Sequence, residues 1–123
     1  MQAAAHPASL SLARLLEHTA DAVAGVRAGR SLTDLIAACP ADARAGTQAL
    51  AFRVMRALGA AEVVRGLLAP KAPPPRVDAL LTSALALLWP PADPQDAPPY
   101  PDHTLVDQAV TAARQRVPAA AGF

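Results

Sequence analysis

Apolar residues recur at helical spacing in one segment of this chain after another, and a glycine or a proline ends most of these segments. The clearest early case runs from Ser11 to about Ala28, where the apolar residues fall on one face of a helix and Gly29 follows. Those residues are Leu12, Leu15, Leu16, Ala20, Val23 and Val26. No segment shows the strict alternation of apolar and polar residues that is typical of a half-buried strand. The pattern therefore predicts an all-α fold.

The composition agrees with a helical domain. Of the 123 residues, 53% are hydrophobic but only 3% are aromatic. A chain of this length suits one domain with its own core. Abundant alanine and leucine favour helices packed through aliphatic side chains over a β-sandwich. We expect residues 11–123 to form this single domain and residues 1–10 to form a flexible N-terminal arm.

The rest of the sequence predicts five more helices and the start of a seventh. Ser31 caps a short second helix, and a third helix, Ala41 to Leu58, ends at Gly59. A fourth helix, Glu62 to Ala69, is expected to bury its apolar side chains, which are Val63, Val64, Leu67 and Leu68. The fifth, Arg76 to Trp89, is apolar nearly all round and is therefore expected at the centre of the fold.

The end of the sequence predicts an unfinished helix. Asp102 or Thr104 caps the sixth helix, and Pro118 opens a seventh that stops at Phe123. Between the fifth and sixth helices, Trp89 to Pro101 contains six prolines and is predicted to be an irregular surface loop. We expect a bundle of six to seven short helices whose last helix is truncated, in a protein that continues beyond this chain.

Three short motifs resemble segments of a known family in the same order. Gly29-Arg30-Ser31-Leu32 resembles a G-x-S-L motif between the first two helices, and Arg44 with the segment 49–56, ALAFRVMR, resembles an arginine-led helix. The segment 103–110, HTLVDQAV, resembles the helix that follows the proline-rich loop in that family. The family is the NusB-like RNA-binding domain, in the form found at the front of the bacterial ribosomal-RNA cytosine 5-methyltransferases of the RsmB (or Sun) family. Two positions depart from it, with Arg53 in place of a glycine and Gln108 in place of a glutamate.

The resemblance implies a NusB-like bundle that serves as an RNA-binding accessory domain and helps to present ribosomal RNA to a methyltransferase. The implied partners are RNA, most readily ribosomal RNA, and a downstream methyltransferase domain. S-adenosylmethionine and the catalytic cysteines would belong to that absent domain, so this chain is expected to have no cofactor and no enzymatic activity of its own. Two alternatives stay open: a freestanding NusB-type antitermination factor that binds RNA and a ribosomal protein, and a purely structural helical scaffold.

The candidate RNA-binding residues are arginines. The net charge is only +1, so an RNA-binding surface has to be a local patch. Arg53 and Arg56 are three positions apart on the third helix, and Arg44 lies near its start, where free backbone N–H groups favour anions. Arg14 and Arg30 bracket the first helix, and the resemblance implies that they join the other three in one basic strip. The alternative is that these arginines are solvated or paired, for example Arg44 with Asp42 and Arg56 with Glu62.

Other candidate sites are weak. The single cysteine, Cys39, allows no internal disulfide and is expected to be a packed or half-exposed thiol. The three histidines, His6, His18 and His103, are isolated in the sequence, which argues against a metal site. Tyr100 is the only loop aromatic available for stacking on bases, so the sequence predicts weak recognition of single-stranded bases. The sequence has no secretory signal and no apolar run long enough for a membrane span, so a cytoplasmic location is expected.

Overall fold

The computed structural model describes residues 10–98 and 100–116. Within these ranges the chain forms α-helices, one short 3-10 turn and no strand, which confirms the all-α prediction. The five α-helices are α1 (Leu12–Arg27), α2 (Leu32–Ala37), α3 (Ala41–Leu68), α4 (Pro75–Leu88) and α5 (Asp102–Arg116). The predicted arm, apart from Leu10, and the helix predicted from Pro118 lie outside the described residues.

Serine caps and one glycine set the bounds of the first two helices. The Ser11 and Ser31 side chains accept hydrogen bonds from the backbone N–H groups of Arg14 and Asp34, at 3.2 and 3.4 Å. These bonds satisfy donors that have no partner within a helix. After α1 the chain turns at Gly29, whose φ of 92° lies in the left-handed region that glycine adopts without a Cβ clash. The predicted bounds of α1 and α2 are therefore close to those observed.

The predicted break at Gly59 is wrong. The third and fourth helices of the sequence-based prediction form one helix of 28 residues, α3, which runs straight through this glycine. One glycine inside a helix costs about 1 kcal/mol relative to alanine. Its neighbours, Leu58, Ala60 and Ala61, are strong helix formers, and no special φ is present because Gly29 is the only described residue with a positive φ. The helix propensity of the surrounding residues therefore outweighs the cost of the single glycine.

The continuous helix changes which residues are buried. Val63, Leu67 and Leu68 were expected in the core, but they are 64%, 76% and 68% exposed. The face of α3 that packs inward is set along its whole length by Ala43, Thr47, Leu50, Ala51, Val54 and Ala61. Because an α-helix has 3.6 residues per turn, Val63 and Leu67 lie on the side of α3 opposite this inward face. Two apolar side chains that suit a short separate helix thus become part of an outer surface.

The core lies where α1, α3, α4 and α5 meet, and the nearly all-apolar α4 contributes four of its buried residues. α4 contacts α1, α3 and α5, and α1 contacts every other helix. The most fully buried large side chains include Leu16, Val23, Val54 and Leu105. A Cβ at Gly25 of α1 would lie 2.6 Å from the Leu35 side chain, so this glycine allows α2 to pack closely. The small α2 helix is thereby held against the outside of α1.

The segment between α4 and α5 is exposed, as predicted for a proline-rich loop. Its only regular element among the described residues is a 3-10 turn at Pro94–Asp96, capped by the Asp93 carboxylate, which accepts the Gln95 N–H at 2.9 Å. Tyr100, the one loop aromatic considered for stacking on bases, is half-buried and packs against the core where the loop rejoins α5. The described part of the loop is therefore exposed along most of its length, and Tyr100 fixes its end beside the core.

Candidate nucleic-acid interface

The arginines of α3 do not form one strip. Arg44 and Arg53 are nine positions apart, which is two and a half turns of a helix at about 3.6 residues per turn. They therefore lie on opposite sides of α3. Arg53 and Arg56 are three positions apart and lie on neighbouring positions of one face. The structure brings together only these two of the five predicted arginines.

Arg44 joins two helices. Its Nη2 donates to the carbonyl oxygens of Ala37 and Cys39, at 3.2 and 3.0 Å. These carbonyls lie at the C-terminal end of α2, where backbone acceptors lack helical partners and the helix dipole favours a cation. Asp42, the acid suggested as its partner, does not contact it among the described ion pairs. The guanidinium of Arg44 is thus engaged in fastening α2 to the start of α3.

Arg14 and Arg30 lie away from the α3 pair. Arg14 is exposed and approaches the Glu17 carboxylate at 3.6 Å, one turn further along α1. Arg30, in the turn after α1, lines a cleft of about 300 Å³ together with His18, Asp21 and Cys39. Neither residue lines the cleft at Arg53 and Arg56. The predicted single strip of five arginines is therefore wrong, because Arg14, Arg30 and Arg44 each lie apart from the pair on α3.

Arg53 and Arg56 converge on Asp96 in the proline-rich loop. The Arg53 Nε donates to the backbone carbonyl of Asp96 at 3.0 Å, and the Arg56 Nη1 lies 3.6 Å from its carboxylate. The alternative pairing of Arg56 with Glu62 is wrong, because Glu62 contacts Arg27 at 3.2 Å instead. The loop is thus held to α3 through contacts that are open to solvent, since the side chains of Arg56 and Asp96 are 61% and 48% exposed.

A cleft of about 460 Å³ opens between these arginines and the loop. One wall is the outer side of α3 around Ala57 and Ala60, and the other is the end of α4 and the prolines that follow it. Arg53, Arg56 and Asp96 are the charged residues that line it, and the other lining residues are apolar. The cleft thus combines two donors suited to phosphate or carboxylate with apolar walls.

Trp89 stands at the edge of this cleft and is 45% exposed. It follows the last residue of α4, and its backbone N–H bonds to the carbonyls of Leu85 and Ala86 at 3.0 and 3.3 Å. Sequence reasoning placed Trp89 at the end of a buried helix and did not identify it as a site residue. The Pro-Pro that follows Trp89 was the available signal, because it ends the helix and turns the chain outward.

Sequence reasoning also missed the most buried charged group, Arg116 at the end of α5. Its side chain is 1% exposed and contacts α1 through the backbone carbonyl of Glu17 and the carboxylate of Asp21, the latter at 2.8 Å. Arg116 lies eleven positions after Leu105 and four after Ala112, which are both buried, so helical spacing places it on the inward face of α5. This periodicity could have identified it.

A second ion network links three helices at one end of the bundle. Arg27 of α1 lies 3.6 Å from the carboxylate of Asp78 on α4, and Arg65 of α3 lies 3.0 Å from the same carboxylate. Together with the contact between Arg27 and Glu62, these ion pairs link three helices. Arg27 and Arg65 are therefore occupied by carboxylates and do not add to the cleft at Arg53.

The remaining candidates offer little chemistry. Cys39 is half-buried, as predicted, and its thiol lies 3.5 Å from the carbonyl oxygen of Leu35. His103 is exposed in the first turn of α5, and His6 lies outside the described residues. In the parts of the chain that the structure describes, no three His, Cys, Asp or Glu side chains are grouped as a metal site requires.

The described helices also lack the combination of length and apolar character that a membrane crossing requires. Comparisons with protein families, with curated proteins and with solved structures found no match to this chain.

Proposed function

We propose that this chain is an RNA-binding domain that contacts RNA phosphates through Arg53 and Arg56. The observation that carries the proposal is the convergence of these two guanidinium groups on one open cleft of about 460 Å³. Among the described residues, the one carboxylate that contacts either of them is Asp96, which is half exposed. A pair of cations on one helix face, held beside an apolar cleft, suits a phosphate with an attached base.

The contact with Asp96 leaves both arginines available to a phosphate. Exposed ion pairs contribute about 0–1 kcal/mol because water and salt screen them. A phosphate offers several acceptor oxygens and a guanidinium can bind two of them at once, so the phosphate competes well with a single carboxylate at 3.6 Å. Arg14, Arg30 and Arg44 lie elsewhere, and we leave them out of the proposed site.

The resemblance to the NusB-like domains supports a more specific role. We infer that the domain assists a ribosomal-RNA cytosine 5-methyltransferase by binding RNA, while a separate catalytic domain supplies S-adenosylmethionine and the nucleophile. In this role the chain has affinity for RNA and no catalysis of its own. A freestanding antitermination factor would use the same phosphate contacts, and its additional ligand would be a ribosomal protein.

The test compares two double variants that remove the same charge. Arg53→Ala/Arg56→Ala removes the proposed phosphate contacts, and Arg76→Ala/Arg114→Ala removes two exposed arginines outside the cleft. RNA affinity is measured over a range of salt concentrations for both. We expect the first variant to flatten the slope of log affinity against log salt by about one for each lost contact, because fewer counterions are released. Equal slopes for the two variants would refute the proposed site.

One observation favours a second function, contact with another protein. Val63, Leu67 and Leu68 expose apolar side chains on the second half of α3. Val63 and Leu67 are four positions apart and therefore share one face of the helix, and exposed apolar patches often mark interaction surfaces. A domain that acts only as a scaffold predicts no salt-dependent affinity for RNA in the wild-type chain, so the salt titration described above separates the two functions.

A further inference from the structure

The cleft that contains Arg53 and Arg56 has an aromatic component that the phosphate contacts alone do not use. Trp89 lines the same cleft and leaves 45% of its surface open to solvent. We propose that Trp89 is a stacking platform for one unpaired RNA base, whose adjacent phosphate binds Arg53 and Arg56. This inference rests on the RNA-binding function proposed above and names the class of RNA that the cleft accepts.

The backbone at Trp89 is constrained on both sides of the residue. The backbone N–H group of Trp89 donates to the carbonyl oxygens of Leu85 and Ala86 in the last turn of α4, at 3.0 and 3.3 Å. Pro90 and Pro91 follow directly, and each proline ring restricts φ to about −65°. The helix end on one side and the two prolines on the other therefore limit the motion of the residue that carries the ring. Because the backbone that carries the ring is already constrained, less conformational entropy is lost when a base stacks on the ring.

The cleft has a charged part and an apolar part, which match the phosphate and the base of a nucleotide. Arg53, Arg56 and Asp96 supply the charged groups, and the remaining lining is alanine, leucine, glycine, tryptophan and proline. A volume of about 460 Å³ lies within the roughly 300–1,000 Å³ that is usual for small-ligand sites. A base can therefore lie against the apolar part while its phosphate reaches the guanidinium groups.

The geometry of RNA then selects unpaired over paired bases. In an A-form duplex each base is stacked between its neighbours, and the deep, narrow major groove keeps side chains from the base edges. An exposed indole can reach the face of a base only in a single strand, a loop or a bulge. We therefore expect this domain to prefer unpaired RNA to duplex RNA that carries the same number of phosphates.

The test uses Phe52 as a matched control, because it is 46% exposed on α3 but does not line the cleft. Trp89→Leu and Phe52→Leu each replace an exposed aromatic ring by an apolar side chain that cannot stack, and Trp89→Phe keeps a ring at position 89. Each variant is titrated with an unpaired oligoribonucleotide of mixed sequence and with a hairpin duplex of equal phosphate number. Circular dichroism confirms that each variant is folded.

We expect Trp89→Leu to bind the unpaired RNA about tenfold more weakly, the loss typical of one base–aromatic stack. Trp89→Phe is expected to recover much of this loss, and Phe52→Leu is expected to bind like the wild type. Binding of the duplex should not change in any of them. Since Trp89 is the only tryptophan of the chain, its fluorescence should fall as the unpaired RNA binds and stay constant with the duplex.

The outcomes separate this inference from the function on which it rests. Suppose that Trp89→Leu binds each RNA as tightly as Phe52→Leu does, while Arg53→Ala/Arg56→Ala binds RNA more weakly than the wild type. The stacking role is then wrong and the phosphate site stands. If the wild-type chain binds neither RNA, the proposed function itself fails. If Trp89→Phe is as weak as Trp89→Leu, the ring at position 89 does not act by stacking.

Discussion

Two arginine clusters in this molecule use the same chemistry in opposite surroundings. At the junction of α5 and α1, the Arg116 side chain is 1% exposed and lies 2.8 Å from the Asp21 carboxylate. At the cleft between α3 and the proline-rich loop, the Arg56 side chain is 61% exposed and lies 3.6 Å from the Asp96 carboxylate. Both contacts pair a guanidinium with a carboxylate across two distant parts of the chain.

The two clusters differ in whether water can solvate their charges once an ion pair is broken. Removing Arg116 leaves the Glu17 carboxylate, whose side chain is only 11% exposed, without this buried partner, so the loss of stability is large. An exposed pair exchanges freely with water and salt, so its loss changes stability little. The buried cluster therefore holds the fold together, and the exposed cluster leaves its arginines able to bind another anion.

The largest expected effect breaks the buried cluster. Arg116→Ala should lower the free energy of unfolding by about 3 kcal/mol, because it removes the partner of Glu17 and Asp21 at a site where the arginine is nearly inaccessible. We place the value at the lower end of the range for buried pairs because the Asp21 side chain is 63% exposed. Chemical denaturation followed by circular dichroism measures the change.

Arg114→Ala is the control for this variant, because Arg114 is an exposed arginine on the same turn of α5. Its replacement should change the stability by less than about 0.5 kcal/mol. If the two variants are equally stable, then the ion pairs of Arg116 contribute no more to stability than an exposed arginine does, and the stabilising role of the buried cluster is wrong.

A smaller effect, of opposite sign, is expected in the wall of the cleft. Gly59→Ala should stabilise the protein by about 0.5–1 kcal/mol, because α3 is continuous there and a Cβ at this position meets no atom of another helix or loop within 4 Å. The matched variant Gly25→Ala places its Cβ 2.6 Å from Leu35 and should not be stabilising. Thermal unfolding measures both. A loss of stability in Gly59→Ala would indicate that the helix needs glycine at this position.

The smallest effect sharpens the role of the exposed cluster. Asp96→Asn removes the carboxylate that lies beside Arg56 and should raise the affinity for RNA about threefold, within the energy range of exposed ion pairs. Asp93→Asn in the same loop changes the net charge equally and does not line the cleft, so its effect should be smaller. Equal RNA affinities for the two variants would show that Asp96 does not compete with phosphate.

Most of the fold could be predicted from local patterns. The helical periodicity of α1, the serine caps and the proline boundaries of α4 act over a few residues, and the structure agrees with them closely. The break at Gly59 failed because a single glycine costs less than the surrounding helix formers and packing contribute. Because of this error the prediction placed Val63 and Leu67 in the core, whereas in the structure they are exposed.

The candidate site was only partly predictable. Helical spacing pairs Arg53 with Arg56 and separates both from Arg44, and this much depends on sequence alone. Their meeting with Asp96 and Trp89 depends on how a loop folds back over α3, more than thirty positions away. The sequence offers no local pattern for such a contact, so neither residue was identified as part of the site.

The sequence by itself determined that this chain is helical, where most of its helices begin and end, and which face of α1 is buried. These properties follow from propensities and periodicity, which act between near neighbours in the chain. Only the tertiary structure decided which arginines are buried in ion pairs and which remain open to a ligand. The reason is that the fate of a long charged side chain depends on its solvation, and solvation is set by whichever distant segment packs beside it.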